Sequence, residues 1–124
     1  MKLTYQQIDE LNAAYLNLTF KEGGVMNAAE NINKLKPLLD TILTCKSQLI
    51  KKYNKGQETI SADHPKWRDF LDEFNKNLLK EADVSELNKI KKTDIYLQNI
   101  PQGDGQKTNP QGFIAVLLAR GLLE

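Results

Sequence analysis

The chain has 124 residues, 40% of them apolar and 27% charged, with a formal net charge of +1 at pH 7. That is enough for one domain with a single core, and the composition is globular rather than disordered. Near-neutral charge excludes a global basic field for nucleic acid or anionic lipid, and no apolar run approaches the ~20 residues that span a membrane.

The opening Met1-Lys2-Leu3-Thr4 runs directly into a helical pattern and lacks the apolar stretch of a signal peptide. The single Cys45 cannot form an internal disulfide, and a reducing cytoplasm suits both features. Thr4 and Gln7 have capping-box spacing, with Leu3 and Ile8 placed as a hydrophobic staple. They predict a first helix over 4–22, with Ile8, Leu11, Tyr15 and Leu18 on its apolar face and Gly23-Gly24 as its stop.

From Val25 to Tyr53 apolar residues recur at three-four spacing (Ala28, Ile32, Leu35, Leu39, Ile42, Leu49), with Lys46 the only break. This predicts one long amphipathic helix over 25–54, roughly 40 Å in length, with the first helix folded back antiparallel on it. Pro37 inside it predicts a kink; two helices broken near Lys36 are the alternative, but the apolar phase continues from Leu35 to Leu39 and favours a kinked rod. Cys45 reads as a small buried hydrophobe, since mid-helix placement offers no helix N-terminus to activate a thiol.

Lys51, Lys52 and Gly56 end the rod, and 57–62 reads as a loop. Asp63 or His64 then caps a third helix over 64–80, with Pro65 in its first turn. Trp67, Phe70, Leu71, Phe74 and Leu78 form its single apolar face. Val84, Leu87 and Ile90 belong to an irregular segment tucked onto the rod, with an extended piece over 95–100. The run PQGDGQKTNP, 101–110, contains no apolar side chain beyond its prolines and predicts a flexible loop.

Asn109-Pro110 opens a last helix over 110–120 by cap and first-turn proline. Phe113, Ile114, Val116, Leu117 and Leu118 reach most of the way round it. Such a helix is either a central core element or shared with another molecule. The tether before it makes complete internal burial hard to arrange. The expectation carried forward is a self-associating, partner-binding arm of Phe113, Ile114, Leu117, Leu118, Leu122 and Leu123. The predicted architecture is therefore all-α: a helical domain over 1–100 organised on one long kinked helix, a flexible loop over 101–110, and a tethered apolar helical arm over 111–124.

The sequence carries no nucleophile–base pair, phosphate loop or paired cysteines, and its single histidine excludes a multi-histidine metal site. No enzyme activity, cofactor or metal is expected. Asp69, Asp72 and Glu73 fall on the face opposite the aromatics and read as solvated surface. The lysine groups 51, 52, 55 and 89, 91, 92 lack interleaved arginine, and no helix-turn-helix flanks them, so they too read as solvated surface.

The opening MKLT, the long helix ending QLIKKYN, the segment FLDEFNKNLLKEADV and then ELNKIKKTDI resemble a family of small late-gene proteins. These come from siphophages, the long-tailed phages, of lactic-acid and related Gram-positive bacteria; the likeness covers roughly residues 1–97. The resemblance implies a tail-assembly chaperone that binds and solubilises the long, apolar, helical tape-measure protein in many copies per partner. It implies action in the host bacterial cytoplasm and absence from the mature virion. Helix-in-groove recognition of this kind needs apolar surface and no catalytic group. The alternatives are a small phage nucleic-acid-binding regulator and a minor structural virion protein.

Overall fold

The structure is a computed structural model that describes residues 1–96, 100–102, 106–108 and 110–124. Strand β1 (Lys2–Thr4) leads directly into helix α1 (Tyr5–Asn17). The capping box is present: the Gln7 amide donates to Thr4 Oγ1 at 3.1 Å and the Thr4 amide donates to Gln7 Oε1 at 3.0 Å. Leu3 and Ile8 on either side of it are buried. Helix α1 stops at Asn17, short of the expected position 22, because the following residues pair elsewhere. Phe20 bridges Ile95, the Tyr96 amide donates to Thr19 O at 3.0 Å, and the Lys21 amide donates to Asp94 O at 2.6 Å.

Helix α2 (Glu22–Tyr53) is a single helix of 32 residues with Pro37 inside it, so the continuous rod, about 48 Å long at 1.5 Å per residue, replaces the two-helix alternative. Thr41 Oγ1 donates to Pro37 O at 3.1 Å, back onto the turn where proline disturbs the hydrogen-bond ladder. Gly23 and Gly24, expected to stop the first helix, instead form the first turn of the second. A Cβ on Gly23 would stand 2.9 Å from Asp94 Oδ2, and one on Gly24 would stand 3.2 Å from Ile90 Cγ2 and 3.3 Å from Phe20 Cδ1. Their missing side chains let the start of the rod approach the 90–95 segment. The Asp94 carboxylate lies at the positive end of the helix dipole there.

Helix α3 (Trp67–Leu78) starts later than position 64. His64 keeps a local role, since its Nδ1 accepts from the Lys66 amide at 2.9 Å in the turn before the helix. Strand β2 (Glu81–Asp83) then pairs antiparallel with β1, Leu3 opposite Ala82. The purely helical architecture is therefore corrected: the fold is mostly helical and includes short antiparallel sheets. Three-residue strands carry too few residues to show an alternating pattern, and their partners lie about eighty residues apart, so no local signal marks them. A 3₁₀ turn follows at Lys92–Asp94. Strands β3 (Ile100–Gln102) and β4 (Gln106–Thr108) pair antiparallel, Pro101 opposite Lys107. Two strands separated by three residues have hairpin spacing, so part of the expected loop is a ladder; its centre at 103–105 and the Asn109 cap lie outside the described residues.

Helix α4 (Pro110–Ala119) closes the fold. It packs on α1, and Ile114, Leu117 and Leu122 join Ile8, Leu11, Leu35, Val84, Leu87, Ile90 and Ile95 in one buried cluster. The residues after α4 are tied in by the backbone: Ile90 N–H donates to Leu122 O at 3.0 Å and Glu124 N–H donates to Ile90 O at 2.9 Å. A second cluster of Leu49, Ile50 and Phe70, flanked by Cys45, Tyr53, Trp67 and Phe74, fills the contact between the far half of α2 and α3. One rod thus carries two cores, a proximal one shared by five elements and a distal helical hairpin.

Candidate functional site

The six residues expected to form an intermolecular arm divide sharply. Ile114, Leu117 and Leu122 are interior, Leu117 with 0% exposure; Phe113 and Leu123 are half-buried against the same core. Only Leu118, at 51%, faces outward. The tethered arm is thereby corrected to a core helix. Burying a leucine fully stabilises the fold by about 1.5–3 kcal/mol, and the apolar faces of α1 and the 84–95 segment leave a site that α4 fills. The sequence pattern allowed this outcome: a helix apolar nearly all round is buried or shared, and here one side is buried while Leu118 remains.

The lysine groups are not brought together. Asn88 bonds to Asn31, and Asp94 lies beside Gly23, so Lys89–Lys92 sit against the first third of the rod. Lys51 and Lys52 lie about twenty residues further along it, about 30 Å away at 1.5 Å per residue. Lys52 is already engaged: Glu73 Oε1 accepts from Lys52 Nζ at 2.7 Å and from the Tyr53 hydroxyl at 2.6 Å. Those two hydrogen bonds hold the Glu73 carboxyl below its usual range.

At the centre of the proximal core lies a polar clamp that the sequence pattern did not single out. Asn31 is fully buried; its Nδ2 donates to Tyr15 Oη at 3.0 Å and to Asn88 O at 2.9 Å, and its Oδ1 accepts from the Asn88 amide at 2.7 Å. One side chain thereby satisfies both backbone groups of Asn88 and ties the irregular segment to the rod. Burial pushes the Tyr15 hydroxyl up to about 12, against a lesser downward effect of the Asn31 hydrogen bond. The signal was a polar residue at 31 on the stripe that runs through Ala28 and Leu35. Every atom of this cluster is satisfied internally, so its role is structural.

The accessible features lie between the two cores. Along residues 40–44 the rod is exposed except for half-buried Ile42, and Leu43 is 63% exposed. A groove of about 200 Å³ opens here, lined by Tyr5, Thr41, Ile42, Cys45, Phe74, Asn77, Leu78 and Lys80. A second depression of about 300 Å³ shares Ile42 with it and is bordered by Asp9, Asn12, Lys36, Leu39, Asp40 and Leu43. Cys45 is half-buried on the groove wall, so its expected role as packing is met on one side only. A third cleft carries mixed charge, with Lys34, Lys89, Arg120, Glu86 and Glu124 among its lining residues. Lys34 Nζ there is occupied by Glu86 O at 2.7 Å.

Among the described residues no helix is long and apolar enough to cross a membrane. Compared with protein-family models, with curated proteins and with solved structures, the chain matches none.

Proposed function

We propose that this chain is a phage tail-assembly chaperone that acts by non-covalent binding. It holds the long helical tape-measure protein in solution through apolar surface, many copies per partner, in the host bacterial cytoplasm, and is left out of the mature virion. The resemblance of residues 1–97 to small siphophage late-gene proteins supports the assignment. The observation that carries the binding role is the exposed middle of α2, where Ile42 and Leu43 lie between two cores that each bury their own leucines. A long chain with exposed apolar seams aggregates before tube subunits enclose it, and a small helical protein with spare apolar surface covers such seams. Because Ile114, Leu117 and Leu122 serve the interior, binding in many copies relies on the middle of the rod rather than on a C-terminal arm. The separation of the two lysine groups disfavours the nucleic-acid reading, which needs a continuous basic surface.

Co-expression with the long helical protein encoded nearby, followed by size-exclusion chromatography with light scattering, tests the proposal. A soluble complex with several copies of this chain per partner is expected, together with absence of the chain from the protein inventory of purified virions. An insoluble partner beside a free monomer overturns the chaperone role. Retention in virions replaces it with a structural one.

A further inference from the structure

The two depressions that share Ile42 form one strip. On α1 it is bordered by Tyr5, Asp9 and Asn12, which stand four and three residues apart and so share a helix face. On α2 it is bordered by Cys45, Ile42 and Leu39, spaced by three. The helices run antiparallel, as shown by Tyr15 meeting Asn31 while Tyr5 lies beside Cys45. Phe74 and Leu78 of α3 extend the apolar wall at the Tyr5 end. The strip runs for the span of Tyr5 to Asn12, about 10 Å, plus the contribution of α3. A helix of about ten residues fits that length.

Charge differs between its ends. Lys80 stands at the α3 end, whereas Asp9 and Asp40 outnumber Lys36 at the other. None of these four side chains belongs to an ion pair among the described residues. A docked helix is therefore favoured with its N-terminus, the positive end of its dipole, at Asp9 and Asp40, and its C-terminus at Lys80. Among the described residues a second copy of this chain has no such helix to offer. The large exposed apolar residues on its described helices are Leu16, Val25, Met26, Leu43 and Leu118, and no two of them stand three or four apart on one helix.

We propose that the strip formed by Tyr5, Ile42, Cys45, Phe74 and Leu78 is the docking site for one amphipathic helix of another protein, with basic residues at that helix's N-terminal end and acidic residues at its C-terminal end. The proposal rests on the chaperone reading above and names the surface and polarity through which it works.

Cys45 is the only cysteine in the chain and reports on this site directly. Its alkylation by N-ethylmaleimide is measured for the full chain alone and in the co-expressed complex, beside the variants Thr41→Arg and Asp9→Lys/Asp40→Lys. Thr41 is exposed at the groove rim, so arginine there obstructs the strip without entering either core, and an unchanged Tm and helical circular dichroism verify that. Expected are alkylation slowed at least fivefold in the complex, loss of the complex with Thr41→Arg, and at least tenfold weaker binding with the charge-reversed pair. A complex that forms normally with Thr41→Arg, or that leaves Cys45 alkylation unchanged, overturns the docking site while the chaperone role stands. If the unaltered chain forms no complex, the chaperone role falls and this site with it.

Discussion

Replacing Asn31 by alanine should cost about 2–4 kcal/mol. The side chain makes three hydrogen bonds, at 3.0, 2.9 and 2.7 Å, from a position with 0% exposure. A neutral hydrogen bond contributes about 0.5–1.5 kcal/mol net, and a buried group left without a partner costs about 1–3 kcal/mol. Asn88 is half-buried, so water can partly replace its two lost backbone bonds, whereas the Tyr15 hydroxyl, in a residue only 3% exposed, loses its Asn31 donor. The hydration of Asn88 keeps the total below the sum of the separate penalties. Against the roughly 5–15 kcal/mol of a typical domain the loss is large. Equilibrium urea denaturation followed by circular dichroism measures it, with an unchanged m-value as the condition for reading it as stability. Asn31→Asp should be worse than alanine, because it removes both donors and buries a carboxylate beside the carbonyl of Asn88. A loss below about 1 kcal/mol for alanine, or an aspartate as stable as alanine, would refute the view that the clamp joins the 84–95 segment to the rod.

Three other outcomes are expected. Tyr15 titrates near 10.0 when unfolded and at about 12 when folded, so its contribution is fully present below pH 10 and is lost as pH rises through 12. The loss amounts to about 2–3 kcal/mol; alkaline denaturation curves of the native chain and of Tyr15→Phe should differ by that slope. Gly24→Ala should destabilise by about 1 kcal/mol despite alanine's better helix propensity, since Ile90 and Phe20 are packed 3.2–3.3 Å from the new methyl. Gly23→Ala should be milder, because the Asp94 carboxylate it meets can rotate; thermal melts of both variants compare them. Leu117→Asp should unfold the proximal half, whereas Leu118→Asp should leave the melt and the oligomeric state unchanged; near-UV circular dichroism and light scattering separate a core α4 from an intermolecular one.

What was legible in the sequence was local. The capping box needs only Thr4 and Gln7, the rod only a three-four spacing, and α3 only Trp67, Phe70 and Phe74 on one side. The misreadings share a different cause. Gly23-Gly24 looks like a stop in isolation, and becomes a tolerated first turn because Asp94 and Ile90 approach it from seventy residues away. Residues 111–124 looked like an arm because nothing local shows that the backbone of Ile90 receives Leu122 and Glu124. The strip along α1 and α2 was equally hidden: Asp9 and Asp40 read as ordinary surface until antiparallel packing sets them beside the same depression. Of the candidate binding residues, the C-terminal set was the visible one and is mostly interior, while the accessible set comes from three helices.

The two cores on one rod differ in how much chain must exist before each can form. Lys52 and Glu73, which join the distal hairpin, are 21 residues apart, whereas Met1 and Val84 in the proximal half are 83 apart. A chain emerging from the ribosome can close the distal hairpin once residues near 79 are free, since loop closure there is short. Its proximal half must wait for Leu117 and Leu122 and leaves Ile8, Leu11 and Leu35 uncovered meanwhile. A nascent or truncated chain is thus half folded and visibly incomplete, open to chaperones and proteases until synthesis reaches the residues that seal it.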